Sequence, residues 1–208
     1  MMHRRTLISG GFALAVVSFA APRAQAALAP SALAPSTLSQ AALPAGPIPG
    51  LSIAPEFYPT LVRVGAEFEP GSIHVLSSKH FLYLITARRQ AIRYGVAVGR
   101  AELVWRGRAV VGRKAEWPSW RPTPEMIARN PAAYARHAGG MKGGPGNPLG
   151  ARAIYLYAGG RDTAIRIHGT TEPNSIGRSV SNGCLRMVND HVIDLYDRVA
   201  EGAPVFVY

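Results

Sequence analysis

Ile167-His168-Gly169-Thr170 and Ser181-Asn182-Gly183-Cys184-Leu185-Arg186-Met187, whose cysteine lies sixteen positions on from His168, decide how this chain is read. Cys184 is the only cysteine in 208 residues. A thiol preceded by glycine, with a histidine within folding reach, is the minimum kit for a cysteine nucleophile. His168 ends the apolar run Ala164 to Ile167, which reads as a strand, a rigid place from which to aim a base. A neighbouring imidazole is expected to lower the thiol pKa and later return the proton to a leaving amine. Its second ring nitrogen needs an acceptor to fix the tautomer, and a backbone carbonyl is expected in that role. Gly183 removes a side chain beside the reacting carbon and is expected to leave the N–H groups of Gly183 and Cys184 facing an oxyanion.

The N-terminus bears on the thiol. Arg4 and Arg5 precede an uncharged, mostly apolar stretch from Ile8 to Ala21, and Ala24-Gln25-Ala26 offers a small-x-small cleavage site. This reads as a signal peptide over 1–26, by either the Sec or the twin-arginine route, and places the protein in the periplasm or cell envelope. No later stretch approaches the ~20 apolar residues of a membrane span. An exported lone cysteine has no intrachain partner in an oxidising compartment, so it is either buried as a small hydrophobe or put to use.

The formal charge is +11. Losing residues 1–26 removes three arginines and no acid, leaving +8. Such a balance suits anionic partners such as a carboxylate-bearing polymer, or serves solubility alone. The basic residues are scattered rather than striped, and with export they argue against nucleic acid.

Residues 27–50 are mostly Ala, Pro, Ser and Leu, carry no charged residue and read as an extended linker. Residues 51–208 have globular composition and suit one domain with a sizeable core. Strands are expected over 72–76 and 80–85 around a Ser77-Ser78-Lys79 turn, over 91–98, 153–157, 163–167 and 204–208. Thr123-Pro124-Glu125 and Asn130-Pro131 read as starts of short helices. Val192, Leu195, Tyr196 and Val199 share one helical face, with Asn189 or Asp190 as its cap. Strand counting alone gives a β-rich domain.

The whole local pattern resembles the L,D-transpeptidase catalytic domain, the YkuD-type cell-wall enzymes. That family shows His-Gly-Thr or His-Gly-Ser, about fifteen residues, then Ser-x-Gly-Cys-x-Arg with Met or Leu. This chain supplies His168-Gly169-Thr170 and Ser181 to Met187. Trp117-Pro118-Ser119-Trp120-Arg121-Pro122-Thr123-Pro124-Glu125-Met126-Ile127 and Asn147-Pro148-Leu149-Gly150 are also similar to it. The resemblance covers roughly 70–208. Asn182 stands where many members have histidine.

The resemblance implies a mainly β, sandwich-like mixed sheet with a few short helices, and no metal or organic cofactor. Cys184 would attack the bond between the L-centre of a diamino acid and the terminal D-alanine of a peptidoglycan stem peptide. D-Alanine leaves, and a thioester passes to an amine, of a second stem peptide or of an envelope protein. His168 would be base and then acid, oriented by the Gly169 carbonyl. The N–H groups of residues 182 to 184 would form the oxyanion hole. Carbapenem-type inhibitors would acylate the same thiol. Two rivals remain: an L,D-carboxypeptidase or cross-link hydrolase using that thiol, and a non-enzymatic wall-binding protein.

Several residues carry two readings. Arg186 holds either the loop, through a salt bridge, or a substrate carboxylate. Ser181 either bonds the turn backbone or faces substrate. Asn182 is a turn residue or an oxyanion-side donor. The run from 139 to 150 is a lid or a surface loop. His74, His80, His137 and His191 show no metal-ligand spacing.

Overall fold

The structure, a computed structural model, describes Leu43 and residues 51–208. The signal peptide over 1–26 and, apart from Leu43, the linker over 27–50 lie outside the described residues. Strands β1 (Thr60–Arg63), β2 (Ile73–Leu76), β3 (Phe81–Ala87), β4 (Gln90–Gly95) and β5 (Val98–Gly99) come first. Then follow β6 (Gly107–Glu116), helices α1 (Pro124–Arg129) and α2 (Pro131–Tyr134), and strands β7 (Arg152–Ala158), β8 (Arg161–His168), β9 (Ser179–Ser181) and β10 (Leu185–Arg186). Helix α3 (Asn189–Arg198) and β11 (Pro204–Val207) complete the chain.

Nine strands form one mixed sheet in the order β1-β4-β3-β2-β11-β6-β7-β8-β10, and β5 pairs with β9 beside it. The β10–β8 and β11–β2 pairs are parallel and the remaining pairs of the large sheet antiparallel. The β2–β3 hairpin turns through Ser77–Lys79, and His80 takes φ 58° to reverse the chain. Alternation places Ile73 and Val75 opposite Leu84 and Leu82, and all four are buried.

The longest strand, β6, is absent from the sequence expectations. Its Arg108, Arg113, Lys114 and Glu116 make it read as surface, and only Ala109 and Val111 are buried. It joins β11 through residues 107–110 and β7 through 110–116. The register shifts between Val111 and Arg113, where a Cβ on Gly112 would collide with the Tyr157 ring. That glycine marks a bulge that lets β6 serve both neighbours.

One core joins β2 to β4, β6 to β8, β11 and α3. Val192, Leu195 and Val199 are buried, as their spacing predicts, and Tyr196 is partly buried against the same cluster. Each fully buried Leu or Ile contributes roughly 1.5–3 kcal/mol. Tyr94 in β4 donates to Asp194 at 2.5 Å, and Asp194 also pairs with Arg198, fastening α3 to the sheet. The expected side-chain cap on α3 is not formed. Val188 is the N-cap and Asn189 is the first helical residue, its side chain spent elsewhere.

Candidate active site

Parallel pairing of β10 with β8 builds the site. Leu185 lies opposite Ile167 and Arg186 opposite His168, so Cys184 enters β10 beside the strand that ends at His168. Met187 N–H donates to the His168 carbonyl at 2.8 Å and closes the pair. Both side chains line a cleft of about 510 Å³, together with Trp120, Tyr134, Tyr155, Arg166 and Arg186.

His168 is buried, and its Nδ1 lies 2.6 Å from the Gly169 carbonyl oxygen. That contact assigns the proton to Nδ1 and leaves Nε2 as the acceptor. Burial pushes the imidazole pKa down to about 4, and the Arg186 and Arg166 charges add to this against the Gly169 bond. The ring is therefore neutral at pH 7.

Cys184 is partly buried. Its thiol donates to the Ala164 carbonyl at 3.7 Å, and burial pushes its pKa up, with Arg166 and Arg186 opposing. The sequence expectation of a thiol lowered by its histidine is thus corrected for the free protein. Desolvation outweighs the cations, and the resting site holds a thiol and a neutral imidazole.

The turn before the thiol is tightly sewn. Ser181 Oγ donates to the Cys184 carbonyl at 2.6 Å and accepts from Gly183 N–H at 3.1 Å. In the free protein the Gly183 N–H is thus held by a buried serine. Gly183 has φ +117°, and a Cβ there would sit 3.1 Å from the Leu103 carbonyl oxygen. Asn182 Nδ2 donates to the Tyr134 hydroxyl at 2.9 Å, so its amide faces α2. Arg186 pairs with the exposed Glu172 at 2.7 Å while lining the cleft.

Four contributors escape the sequence reading. Asn189 Oδ1 accepts from Ala151 N–H at 3.1 Å and Nδ2 donates to the Thr170 carbonyl at 3.2 Å. It therefore buttresses the loop after His168, and a Cβ on Gly169 would strike its oxygen. Tyr134 holds Asn182. Arg166 stacks over Tyr155 at 4.4 Å and is gripped by Asp162. Asp162 in the turn-rich spacer before the expected strand and Thr163 at its start, both turn formers, are the signal available for the last two.

Among the other candidates, Pro148 and Leu149 reach the cleft, and Asn147 pins their loop through the Met141 and Lys142 carbonyls. His74 bonds Ser72 and Tyr208 and stacks on Phe206. Among the described residues no group of three or more His, Cys, Asp or Glu is placed to hold a metal ion. Nor is any described helix long and apolar enough to cross a membrane.

The family model of the L,D-transpeptidase catalytic domain (YkuD) matches residues 70–207. YqjB of Bacillus subtilis, an L,D-transpeptidase by name, is 36% identical over 142 residues, covering 66% of this chain and 72% of its own length. A solved structure from Brucella melitensis, titled as a carnitine operon oxidoreductase, is 53% identical. Its TM-score is 0.52, and the match covers 73% of this chain and 93% of that one. The Enterococcus faecium L,D-transpeptidase C442S mutant shares the fold at 16% identity and TM-score 0.52, covering 68% of this chain and 50% of its own. The matched segment is 51% of a Fuscovulum blasticum relative and 29% of several from Escherichia coli. The chain belongs to the L,D-transpeptidase catalytic domain family, and its mainly β, mixed-sheet architecture is the fold of that family.

Proposed function

We propose that the protein is an exported cysteine-nucleophile L,D-transpeptidase acting on peptidoglycan stem peptides. The observation that carries this reading is one cleft holding a partly buried thiol and an imidazole whose Nδ1 is committed to Gly169, leaving Nε2 free to accept a proton. Cys184 sulfur attacks the carbonyl that precedes D-alanine, and its proton passes to His168 Nε2. His168 then protonates the departing D-alanine amine, leaving a thioester. An acceptor amine attacks the thioester and gives up its proton through His168. A new amide forms, and the thiol is restored. The backbone N–H groups of Asn182 and Cys184, with no hydrogen bond among the described residues, are the donors of the turn left for the oxyanion.

Arg121, Arg129, Arg166 and Arg186 against Glu125 and Glu172 give the cleft a net positive lining, suited to a carboxylate-bearing peptide. The Brucella protein carries the name of an oxidoreductase. The domain match over residues 70–207 and the thiol–imidazole cleft favour acyl transfer for this chain.

The test is intact mass after incubation with a carbapenem, beside Cys184→Ala. An adduct on the wild type alone supports an acylating thiol. D-Alanine release from a tetrapeptide, with and without an amine acceptor, then separates transfer from hydrolysis. A folded wild type that forms no adduct and releases no D-alanine sinks the proposal and favours a wall-binding protein.

A further inference from the structure

Strand β8 is broken at its middle. Asp162 lies opposite Tyr157 and Arg166 opposite Tyr155, so three residues of β8 face Leu156 alone. Side chains replace the missing ladder bonds. Asp162 Oδ1 accepts from Ala164 N–H at 2.9 Å. Thr163 Oγ1 accepts from Ile165 N–H at 3.1 Å and donates to the Leu156 carbonyl at 2.7 Å. Ala164 consequently sits at φ +60°, a left-handed conformation that its Cβ disfavours. The Ala164 carbonyl, in this distorted stretch, is the one that accepts the Cys184 thiol.

The same carboxylate has a second task. Its two oxygens hold the Arg166 guanidinium at 2.7 and 2.8 Å. That guanidinium lies over the Tyr155 ring, which Arg113 also covers at 3.6 Å. One side chain therefore fixes both the acceptor on which the thiol rests and a cation lining the same cleft.

We propose that Asp162 is a positioning residue that parks the resting Cys184 thiol on the Ala164 carbonyl and balances the Arg166 charge, keeping the free enzyme's sulfur protonated until substrate arrives. This rests on the reading of Cys184 as the nucleophile. A carbonyl accepting S–H favours the neutral form, and a neutralised Arg166 does less for the thiolate. Of the other neighbours, His168 is held neutral by burial, while the Arg166 backbone and Arg186, itself paired with Glu172, act in the opposite direction without outweighing burial. Since thiolate is the form that oxidises, parking suits a lone cysteine exported to an oxidising compartment.

The experiment is the rate of Cys184 alkylation by iodoacetamide on the purified full chain between about pH 5 and pH 10. Asp162→Ala should react about threefold to tenfold faster at pH 7, with the rising limb moved to lower pH. Asp162→Asn keeps an acceptor for Ala164 N–H without the charge and should fall between. Ala164→Gly, which adopts positive φ freely, should follow the wild type. A folded Asp162→Ala protein whose profile superimposes on the wild type, or is slower throughout, overturns the proposal. If Asp162→Ala does not fold, Asp162→Asn decides by the same criterion. D-Alanine release from a tetrapeptide, measured alongside, separates the two readings. Release by the wild type with an unmoved Asp162 profile sinks the parking alone. No release with a shifted profile sinks transfer and supports the parking.

Discussion

Asn182 Nδ2 donates to the Tyr134 hydroxyl at 2.9 Å, tying the turn that carries Cys184 to α2, forty-eight residues earlier in the chain. Trp120 packs its ring edgewise on Tyr134 and on His137, with centroids 6.3 and 5.9 Å away. Two backbone bonds between Trp120 and Met141 close the base of this segment. The wall of the cleft formed by α1 and α2 is thus attached to the nucleophile turn by one side-chain hydrogen bond.

Tyr134→Phe keeps the ring packing and removes that bond. A neutral hydrogen bond contributes about 0.5–1.5 kcal/mol, so KM for a tetrapeptide donor should rise roughly threefold to tenfold with kcat nearly unchanged. A D-alanine release assay reads both constants. An unchanged KM would show that the wall does not depend on this contact.

Ser181 bonds both the Gly183 N–H and the Cys184 carbonyl from a buried position. Ser181→Ala strands those groups, at a cost of about 1–3 kcal/mol. The thermal midpoint should fall by roughly 3–10 °C, and carbapenem acylation should slow with it. Gly183→Ala should be worse for acylation, because alanine resists φ +117° beside the Leu103 carbonyl. Scanning calorimetry and the acylation rate check both. A Gly183→Ala protein acylating at the wild-type rate would show that the turn tolerates a side chain.

Much of this arrangement was legible because it is local. The hairpin at Ser77–Lys79, the Thr123 cap of α1, the Asn130 cap of α2 and the apolar face of α3 each follow from a few neighbouring residues. What stayed hidden was long range. Strand β6 looks polar because its stability comes from pairing with β7 and β11 rather than from its own side chains. Asn189 has the composition of a helix cap, yet it spans to Ala151 and Thr170, contacts that only the packed chain brings together. Asp162 looked like part of a turn, and its grip on Ala164 and Arg166 depends on a bulge that no periodicity announces.

The Arg186–Glu172 pair separates two roles for the arginine. Glu172 is largely exposed, so the pair contributes about 0–1 kcal/mol and Glu172→Gln should leave the thermal midpoint within roughly 3 °C. If Arg186 grips a substrate carboxylate, Glu172→Gln frees it and lowers KM, while Arg186→Gln raises KM about tenfold. If Arg186 only holds the loop, neither substitution moves KM and Arg186→Gln lowers the midpoint instead. Steady-state kinetics beside thermal melts distinguish the two.

Acid should weaken the fold through two buried imidazoles. His168 and His191 both have pKa values lowered by burial to about 4, His191 against the opposing charges of Asp190 and Asp194. His191 is fully buried against Tyr58, and neither ring nitrogen has a hydrogen-bond partner among the described residues. Between the ordinary value of 6.5 and about 4, the unfolded chain binds protons that the native state refuses. Stability from these groups is therefore complete above about pH 6.5 and is lost as pH falls toward 4, on the order of 2 kcal/mol per histidine by pH 4.5. His191→Phe keeps a ring against Tyr58 and removes one of the two proton sites. It should melt at or above the wild-type temperature at pH 7 and lose about 4–8 °C less between pH 7 and pH 4.5. Melting both proteins across that range is the check. Equal acid losses would mean that His191 does not carry the pH dependence.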